Sequence, residues 1–385
     1  MINFDHQPCR KNTNSIKYDF PARYNKPEGL IPLWVADMDF QVPAEITAAI
    51  QQAVEHAIYG YAESSEPYFA AVHKWFADRY NYHTKEEWLV KVPGVVFSLG
   101  MAIKAFTSPG DSILIQKPVY PPFENTIKVN RRNIVDNTLI YTQGGYEIDF
   151  ADFEQKIADN NVKMFILCNP HNPVGRVWKY EELFEMGLIC KRHNVLVVSD
   201  EIHCDIVFPG HKHLVFSTVC PDVPSIICTA PSKTFNLAGL QAANIFIPDK
   251  QLRNAYKTEI LATGYHQLNK LGLIAGQAAY EHGHNWLVQL IEYLSQNAEY
   301  VRNFIANNIP QIKMADLQGT YLMWLDFNGL NMSHAALEDL LTNKAKLWLS
   351  SGTDFGETGH GFFRLNIGCP KSTLEEAMTR LAQVT

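Results

Sequence analysis

Short apolar runs alternate with amphipathic stretches over residues 90–250, at the spacing typical of βα units. The apolar runs predict buried strands over residues 112–116, 163–167, 195–199, 225–229 and 242–247. The amphipathic stretches predict helices over residues 149–160, capped by Asp149, and 181–193. This pattern indicates an α/β domain whose central sheet is mostly parallel and flanked by helices.

The pattern changes after Gly283, where long helical stretches surround an alternating strand predicted over residues 321–327. A last helix is predicted from Ser372, with Glu375 three residues later completing a capping box. We therefore expect three parts. An arm over residues 1–45 packs on the smaller domain, a large domain covers residues 46–283, and a smaller α+β domain covers residues 284–385.

The strand predicted at 225–229 is followed by Pro231-Ser232-Lys233-Thr234. A lysine at a strand end can form a Schiff base with a carbonyl cofactor, while the neighbouring Ser232 hydroxyl binds that cofactor's phosphate. Taken alone the pair is a weak signal, because most Ser-Lys pairs are solvated loop residues.

Polar residues also follow two other predicted strands. The turn-forming loop 169–173 contains Asn169 and Asn172 and comes after the strand at 163–167. Asp200 directly follows the strand at 195–199, where a carboxylate can keep a pyridine nitrogen protonated. An exposed strand-end acid is the alternative interpretation of Asp200.

The order of these segments, followed by Phe363-Arg364-Leu365-Asn366-Ile367-Gly368, resembles the fold-type I pyridoxal phosphate enzymes, the aspartate aminotransferase superfamily, over nearly the whole chain. The resemblance implies pyridoxal 5'-phosphate as the cofactor, with Lys233 as Schiff-base lysine and general base. It implies that Asp200 meets the ring nitrogen, and that Asn172 rather than Asn169 binds the ring hydroxyl. It also implies that Arg364 clamps the substrate carboxylate, a task suited to a planar guanidinium fork.

Further roles follow from the same resemblance. Tyr120 would stack on the cofactor ring, although a surface loop tyrosine is the alternative. Val95 and Val96 directly precede a helical run predicted over residues 97–106, and their backbone amides would bind the phosphate at its amino end. His203 stands where the aminotransferases have a tyrosine beside the ring hydroxyl. Tyr61 would reach the phosphate from a neighbouring subunit, which implies a homodimer with shared active sites.

Departures from the superfamily pattern narrow the resemblance. Gln241 replaces an arginine that commonly binds the phosphate, and Ala230 replaces a serine, so the phosphate site is less cationic. Together with residues 231–241 and the nonapeptide 32–40, these departures resemble the MalY/PatB-type C-S lyases, also called cystathionine β-lyases. In this interpretation Ala36 offers a backbone group to the substrate carboxylate. A buried strand with a turn is the alternative for the nonapeptide.

The chemistry implied by this resemblance is α,β-elimination from L-cystathionine or a related cysteine S-conjugate, giving thiol, pyruvate and ammonia. An aminotransferase on the same scaffold is the alternative, because both activities use Lys233, Asp200 and Arg364. The four residues 200–203 also spell a helicase-like box, but the chain lacks the phosphate loop that a nucleotide-driven motor requires. A regulatory role through a protein partner stays open.

Composition excludes several other classes of protein. The 385 residues are 46% hydrophobic and carry 33 basic against 40 acidic side chains, a net charge of −7, which disfavours nucleic acid or anionic membrane as partners. Long apolar runs and a signal-like start are missing from the sequence, so we expect a cytoplasmic protein. The seven cysteines are scattered and read as reduced thiols, and the histidine pairs do not complete a metal site.

Overall fold

The structure is a computed structural model that describes residues 2–142 and 145–385. Its α-helices are α1 Ile16–Asp19, α2 Ala44–Glu55, α3 Glu66–Tyr80, α4 Val95–Phe106, α5 Pro121–Val129, α6 Phe150–Asp159, α7 Tyr180–Arg192, α8 Phe216–Val219, α9 Pro231–Thr234, α10 Lys250–Ala262, α11 Lys270–His282, α12 His284–Asn308, α13 His334–Asp339 and α14 Lys371–Ala382. Its strands are β1 Ile31–Pro32, β2 Leu89–Val92, β3 Ser112–Ile115, β4 Asn133–Asp136, β5 Ile140–Thr142, β6 Gly145–Glu147, β7 Met164–Cys168, β8 Leu196–Asp200, β9 Ser225–Thr229, β10 Ala243–Phe246, β11 Lys313–Met314, β12 Leu322–Asp326, β13 Leu347–Trp348, β14 Ser350–Ser351 and β15 Phe362–Asn366.

A seven-stranded sheet in the order β2-β10-β9-β8-β7-β3-β4 forms the centre of the molecule. The ladder from β9 to β4 is parallel, and β10 runs antiparallel to both of its neighbours. The five strands predicted between residues 112 and 247 are all present in this sheet, and its mostly parallel character is confirmed. Every residue of β7, β8 and β9 is buried, because helices cover both faces of a parallel sheet.

Alternate residues of the strands pack on opposite faces of this sheet. Ile113 and Ile115 of β3 belong to the apolar cluster that contains α4, α5 and α10 side chains, whereas Leu114 belongs to the cluster that contains α6 and α7 side chains. This alternation follows from the two-residue period of a strand. Both faces are therefore closed, and the carboxyl edge of the parallel strands stays open for a site.

A second, antiparallel sheet in the order β11-β12-β15-β14 packs with α12 and α14. Its register places Arg364 of β15 opposite Trp324 on one side and Ser350 on the other. The start of the chain contacts this region: β1 pairs in parallel with β13, and Asn366 N donates to Leu33 O at 2.9 Å. The division of the chain at residues 45 and 283 stays a prediction.

The two predicted helix starts differ in outcome. Asp149 caps α6 as expected, because its side chain accepts a hydrogen bond from Asp152 N at 2.9 Å. The predicted capping box at Ser372 is wrong. The helix begins one residue earlier, at Lys371 after Pro370, so Ser372 already lies within the helix and cannot cap it.

Within the described residues, no helix is both long and apolar enough to cross a membrane.

Candidate active site

A pocket opens at the carboxyl ends of β7, β8 and β9, where the parallel strands of an α/β sheet usually bind ligands. Nine of the residues that line this pocket were predicted from the sequence as site residues: Ala36, Val95, Val96, Tyr120, Asn172, Asp200, His203, Ser232 and Lys233. Segments that are far apart along the chain therefore meet in one cavity, and Arg364 joins them through a hydrogen bond to Asn172.

Lys233 lies in the single turn α9 that follows β9. Its Nζ donates to Ala36 O at 2.7 Å, and the adjacent Thr234 Oγ1 donates to Asp205 Oδ2 at 2.7 Å, which anchors the turn. Burial lowers the pKa of the Lys233 amine to about 8, and the positive charge of Arg364 adds to this effect. With this pKa about a tenth of the amine is uncharged at pH 7, far more than at its ordinary pKa, and that fraction can act as a nucleophile or base.

Asp200 is the buried last residue of β8, and its Oδ1 accepts a hydrogen bond from Ile202 N at 3.1 Å. Burial raises the pKa of this carboxyl to about 7, although the Ile202 N–H and the Lys233 charge act in the opposite direction.

His203 lines the same pocket. Burial holds the pKa of His203 well below its ordinary value, so its ring is neutral. His203 Nδ1 has no hydrogen-bond partner among the described residues. The carboxyl and the imidazole both suit a polar ligand that supplies a cation or a donor.

Arg364 is buried and held by oxygen atoms from three segments. Its Nη1 donates to Asn172 Oδ1 at 2.9 Å, and its Nη2 donates to Trp34 O at 2.8 Å and to Ser350 Oγ at 3.2 Å. Burial lowers its pKa to about 10, so the guanidinium remains charged at neutral pH, and no carboxylate of the described residues is hydrogen-bonded to it. Such a group is prepared to bind an anion.

Asn169 differs from Asn172. Asn169 is fully buried, and its Nδ2 donates to Leu214 O at 3.2 Å, whereas Asn172 Oδ1 accepts a hydrogen bond from Arg364. This geometry supports the interpretation that Asn169 holds the loop in place while Asn172 faces the cavity.

The amino end of α4 forms another wall. Val95 and Val96 lie in its first turn, and Gly94 precedes them without a side-chain cap, so backbone N–H groups are free to meet an anion. Ser232 and Gln241 line the same cavity. Gln241 is exposed and has a left-handed backbone (φ 48°), so it reaches the pocket from its rim.

Tyr120 precedes α5 and is half-buried at the wall of the pocket. Burial raises the pKa of its phenol, which keeps the phenol neutral.

Tyr61 lies outside this pocket. It is 101% exposed and is not part of the pocket lining, so within one chain it does not join the other predicted residues.

Several residues at the site were missed in the sequence. Tyr321 donates to Ala36 O at 2.9 Å, Ser350 contacts Arg364, and Asp205 anchors Thr234. Tyr321 is the first residue of a predicted strand, but the alternation of residues along that strand does not reveal which face of the strand meets a ligand. Among the described residues, no group of three or more His, Cys, Asp or Glu is placed to hold a metal ion.

The strand order, together with a lysine, an aspartate and an asparagine at neighbouring strand ends, defines an aspartate aminotransferase-like protein of fold type I. The chain belongs to the family "Aminotransferase class I and II", whose model matches residues 28–381.

Relatives of known name extend over the full chain. "Cystathionine beta-lyase PatB" of Bacillus subtilis (strain 168) is 41% identical over 382 residues, which cover 99% of both chains. The solved structure of cystalysin from Treponema denticola, which contains a pyridoxal 5'-phosphate cofactor, is 36% identical with a TM-score of 0.97, covering 100% of this chain and 98% of that one. The PLP-bound C-S lyase of Staphylococcus hominis, complexed with L-cycloserine, is 32% identical with a TM-score of 0.94, at the same coverage.

Proposed function

We propose that this chain is a pyridoxal-phosphate-dependent carbon–sulfur β-lyase that acts on L-cystathionine or a related cysteine S-conjugate. The observation that carries the proposal is the meeting of Lys233, Asp200 and Asn172 in one pocket beside the guanidinium of Arg364. The names of the full-length relatives support the same activity.

The residues present fit pyridoxal phosphate. The buried Asp200 carboxyl would face the ring nitrogen, whose positive charge would favour the ionised carboxylate. The partnerless His203 Nδ1 and the Asn172 amide would meet the ring hydroxyl. The open amides at the start of α4 would hold the phosphate together with Ser232.

The bound cofactor supplies an electron-withdrawing ring that makes the substrate α-proton acidic. Lys233 would hold the cofactor through its amine, and once the substrate amine has replaced it, the free Lys233 amine would accept the α-proton. Its pKa of about 8 suits this task, since a general base is most effective when its pKa lies near the working pH.

Arg364 binds the substrate carboxylate and so fixes the α-carbon relative to the Lys233 amine. The bond between the β-carbon and sulfur then breaks, and the electron pair leaves with sulfur as a thiolate, which takes up a proton. The remaining aminoacrylate reacts with water to give pyruvate and ammonia. The sum is substrate plus water giving thiol, pyruvate and ammonia.

Incubation of the purified holoenzyme with L-cystathionine tests the proposal. We expect equal amounts of pyruvate and free thiol without any added keto acid. Amine transfer that depends on a keto acid, with little thiol released, would instead identify an aminotransferase. A panel of cysteine S-conjugates would then rank the substrates by kcat/KM.

We also infer that the working unit is a homodimer with shared active sites. Ile58, Tyr59, Tyr61 and Val96 are exposed hydrophobic residues in one chain, and Val96 also lines the pocket. Large apolar side chains exposed close together in the sequence, as at residues 58–61, are typical of a surface that a partner covers. Sedimentation of the holoenzyme would test this, and a monomer that binds cofactor tightly would contradict it.

A cytoplasmic location agrees with the cysteines, all seven of which are free. Free, mostly buried thiols are typical of proteins in a reducing compartment.

A further inference from the structure

Residues 34–40, called here the 34–40 segment, pass beside the pocket and supply backbone carbonyl groups to it. Ala36 O accepts hydrogen bonds from Lys233 Nζ at 2.7 Å and from Tyr321 Oη at 2.9 Å. The position of this one carbonyl therefore decides where the free lysine amine rests. The question is what fixes the carbonyl.

Asn236, three residues beyond Lys233, fixes the segment from the lysine side. Its Oδ1 accepts from Met38 N at 3.0 Å, and its Nδ2 donates to Met38 O at 2.8 Å and to Phe40 O at 3.1 Å. Its backbone is left-handed (φ 57°), a conformation that asparagine adopts more readily than most residues. The lysine turn and the 34–40 segment are therefore joined both by the Lys233 amine and by a fixed amide side chain.

The other end of the segment is joined to the carboxylate-binding wall. Trp34 O accepts from Arg364 Nη2 at 2.8 Å. Asn366 Nδ2 donates to Val35 O at 2.6 Å and to Asp37 O at 2.7 Å. The segment thus runs without interruption from the guanidinium of Arg364 to the amine of Lys233.

The outer side of the segment is held by charge. Arg10 binds both carboxylate oxygens of Asp37, with its Nη1 3.1 Å from Oδ1 and its Nη2 2.7 Å from Oδ2, and its Nη1 also donates to Asp39 Oδ1 at 2.6 Å. Lys17 Nζ lies 2.8 Å from Asp39 Oδ2, and both of these side chains are 0% exposed. Buried pairs of this kind are costly to break on one side, because the remaining charge stays buried without a partner.

We propose that Asn236 and Arg10 are positioning residues that act through the 34–40 segment to set the Lys233 amine relative to Arg364. This rests on the proposed lyase function, in which Arg364 fixes the substrate and Lys233 takes the α-proton. Because proton transfer needs the base within hydrogen-bond reach, a loosened segment reduces turnover.

Asn236→Gly tests the lysine side, because glycine accepts the left-handed backbone and removes all three side-chain bonds. Asn331→Gly is the matched control, since Asn331 is also left-handed (φ 54°) but exposed and far along the chain. We expect Asn236→Gly to lower kcat by about 10- to 100-fold, as misplacement near the chemistry typically does. The control should keep wild-type kcat, and an equal loss in both variants would overturn the proposal.

A double-mutant cycle separates positioning from general destabilisation. Asn236→Gly and Arg364→Lys alter opposite ends of the segment, so their effects on kcat/KM should be non-additive by about threefold or more. Additive effects would show that no coupling passes through the segment, and would overturn the proposal. If Asn236→Gly does not fold, Arg10→Lys replaces it in the cycle, since it loosens the same segment from its outer side with the charge kept.

A readout that needs no activity keeps this proposal distinct from the proposed function. In cofactor-free protein, amide hydrogen exchange of peptides covering the 34–40 segment should be faster in Asn236→Gly and in Arg10→Lys than in the wild type and in Asn331→Gly. Unchanged exchange would contradict the positioning role even if the enzyme is a lyase. A wild type without lyase activity but with this exchange pattern would contradict the function alone.

Discussion

The two sides of the pocket are built in different ways. On the side that we propose binds the cofactor, called here the cofactor side, Asp200 and Lys233 stand at or just beyond the ends of adjacent buried strands, and the sheet ladder sets their spacing. On the side that we propose binds substrate, called here the substrate side, Arg364 is held by a carbonyl 330 residues away at Trp34 and by the Ser350 hydroxyl. The cofactor side depends on the central sheet, whereas the substrate side depends on hydrogen bonds between distant segments.

This difference predicts different consequences of substitution. Changes on the cofactor side should alter the colour and the cofactor content of the protein. Changes on the substrate side should leave the cofactor bound and alter how substrate is held. Each experiment below therefore compares cofactor binding with turnover, in order of decreasing expected effect.

Lys233→Ala should abolish elimination, by at least about 10,000-fold, because it removes the amine that we propose as both the Schiff-base lysine and the general base. Pyruvate release measures the loss. Borohydride treatment of the wild-type holoenzyme should fix the cofactor on a single peptide, the one that contains Lys233. Lys257→Ala, at an exposed position of α10, is the control and should remain active. An adduct on another lysine would refute the assignment.

Arg364→Ala should lower kcat/KM by several powers of ten while the absorbance of bound cofactor persists, since in the proposed function the guanidinium binds substrate rather than cofactor. Arg364→Lys keeps the charge without the planar fork and should lose less. Because the Arg364 charge lowers the pKa of Lys233, Arg364→Ala should also raise that pKa above about 8. Normal turnover in Arg364→Ala would rule out the carboxylate clamp.

The same contrast explains what the sequence could predict. The strands before Asn172, Asp200 and Lys233 are apolar runs, and the polar residues after them mark the open edge of a parallel sheet. The substrate side gives no such pattern. Its Trp34 and Ala36 contacts use backbone carbonyls, which every residue has, so side-chain identity does not mark them.

Asn236 illustrates the same limit within a recognised motif. It follows the lysine turn in the sequence, but its role depends on the distant residues Met38 and Phe40, which only the folded chain brings near. The wrong prediction of a capping box at Ser372 has a local cause instead. The helix begins at Lys371, one residue before the predicted start.

Tyr61→Phe tests whether the cofactor side extends into a second subunit. Loss of a hydrogen bond to a charged phosphate should weaken cofactor affinity by about 1.5 to 3 kcal/mol. Cofactor titration with sedimentation in parallel would measure this. Tyr59→Phe is a matched control, since the Tyr59 hydroxyl donates to Val54 O at 3.2 Å within its own chain.

Gln241→Arg sharpens the test of Tyr61. An arginine at the pocket rim should partly restore cofactor affinity to Tyr61→Phe by adding a charge near the phosphate. If the single variant Tyr61→Phe binds the cofactor as tightly as the wild type does, Tyr61 serves only in packing between subunits.

The pH dependence of cofactor capture probes Lys233 without substrate. The uncharged amine is the nucleophile, so the rate at which cofactor-free protein takes up pyridoxal phosphate should rise with pH and level off above about 8. Below that pH the rate should fall by about tenfold per unit, as the uncharged fraction does. Stopped-flow absorbance would measure it. A rate that keeps rising to pH 10 would place the pKa of the amine near its ordinary value.

Ser350→Ala is the mildest test of the substrate side. The Ser350 hydroxyl donates to Trp34 O at 3.0 Å and accepts from Arg364 Nη2 at 3.2 Å, so its loss frees the guanidinium on one side without removing charge. This bond from the charged guanidinium is long, at 3.2 Å, so we expect its loss to cost less than a full charged hydrogen bond, about 0.5 to 1.5 kcal/mol, which corresponds to a KM increase of about 2- to 12-fold with cofactor affinity unchanged. Ser351→Ala is the matched control, because Ser351 Oγ bonds His334 and Thr353 instead. If Ser350→Ala instead loosened the cofactor and left KM unchanged, the two sides of the pocket would not be separable, and the contrast drawn between them would fail.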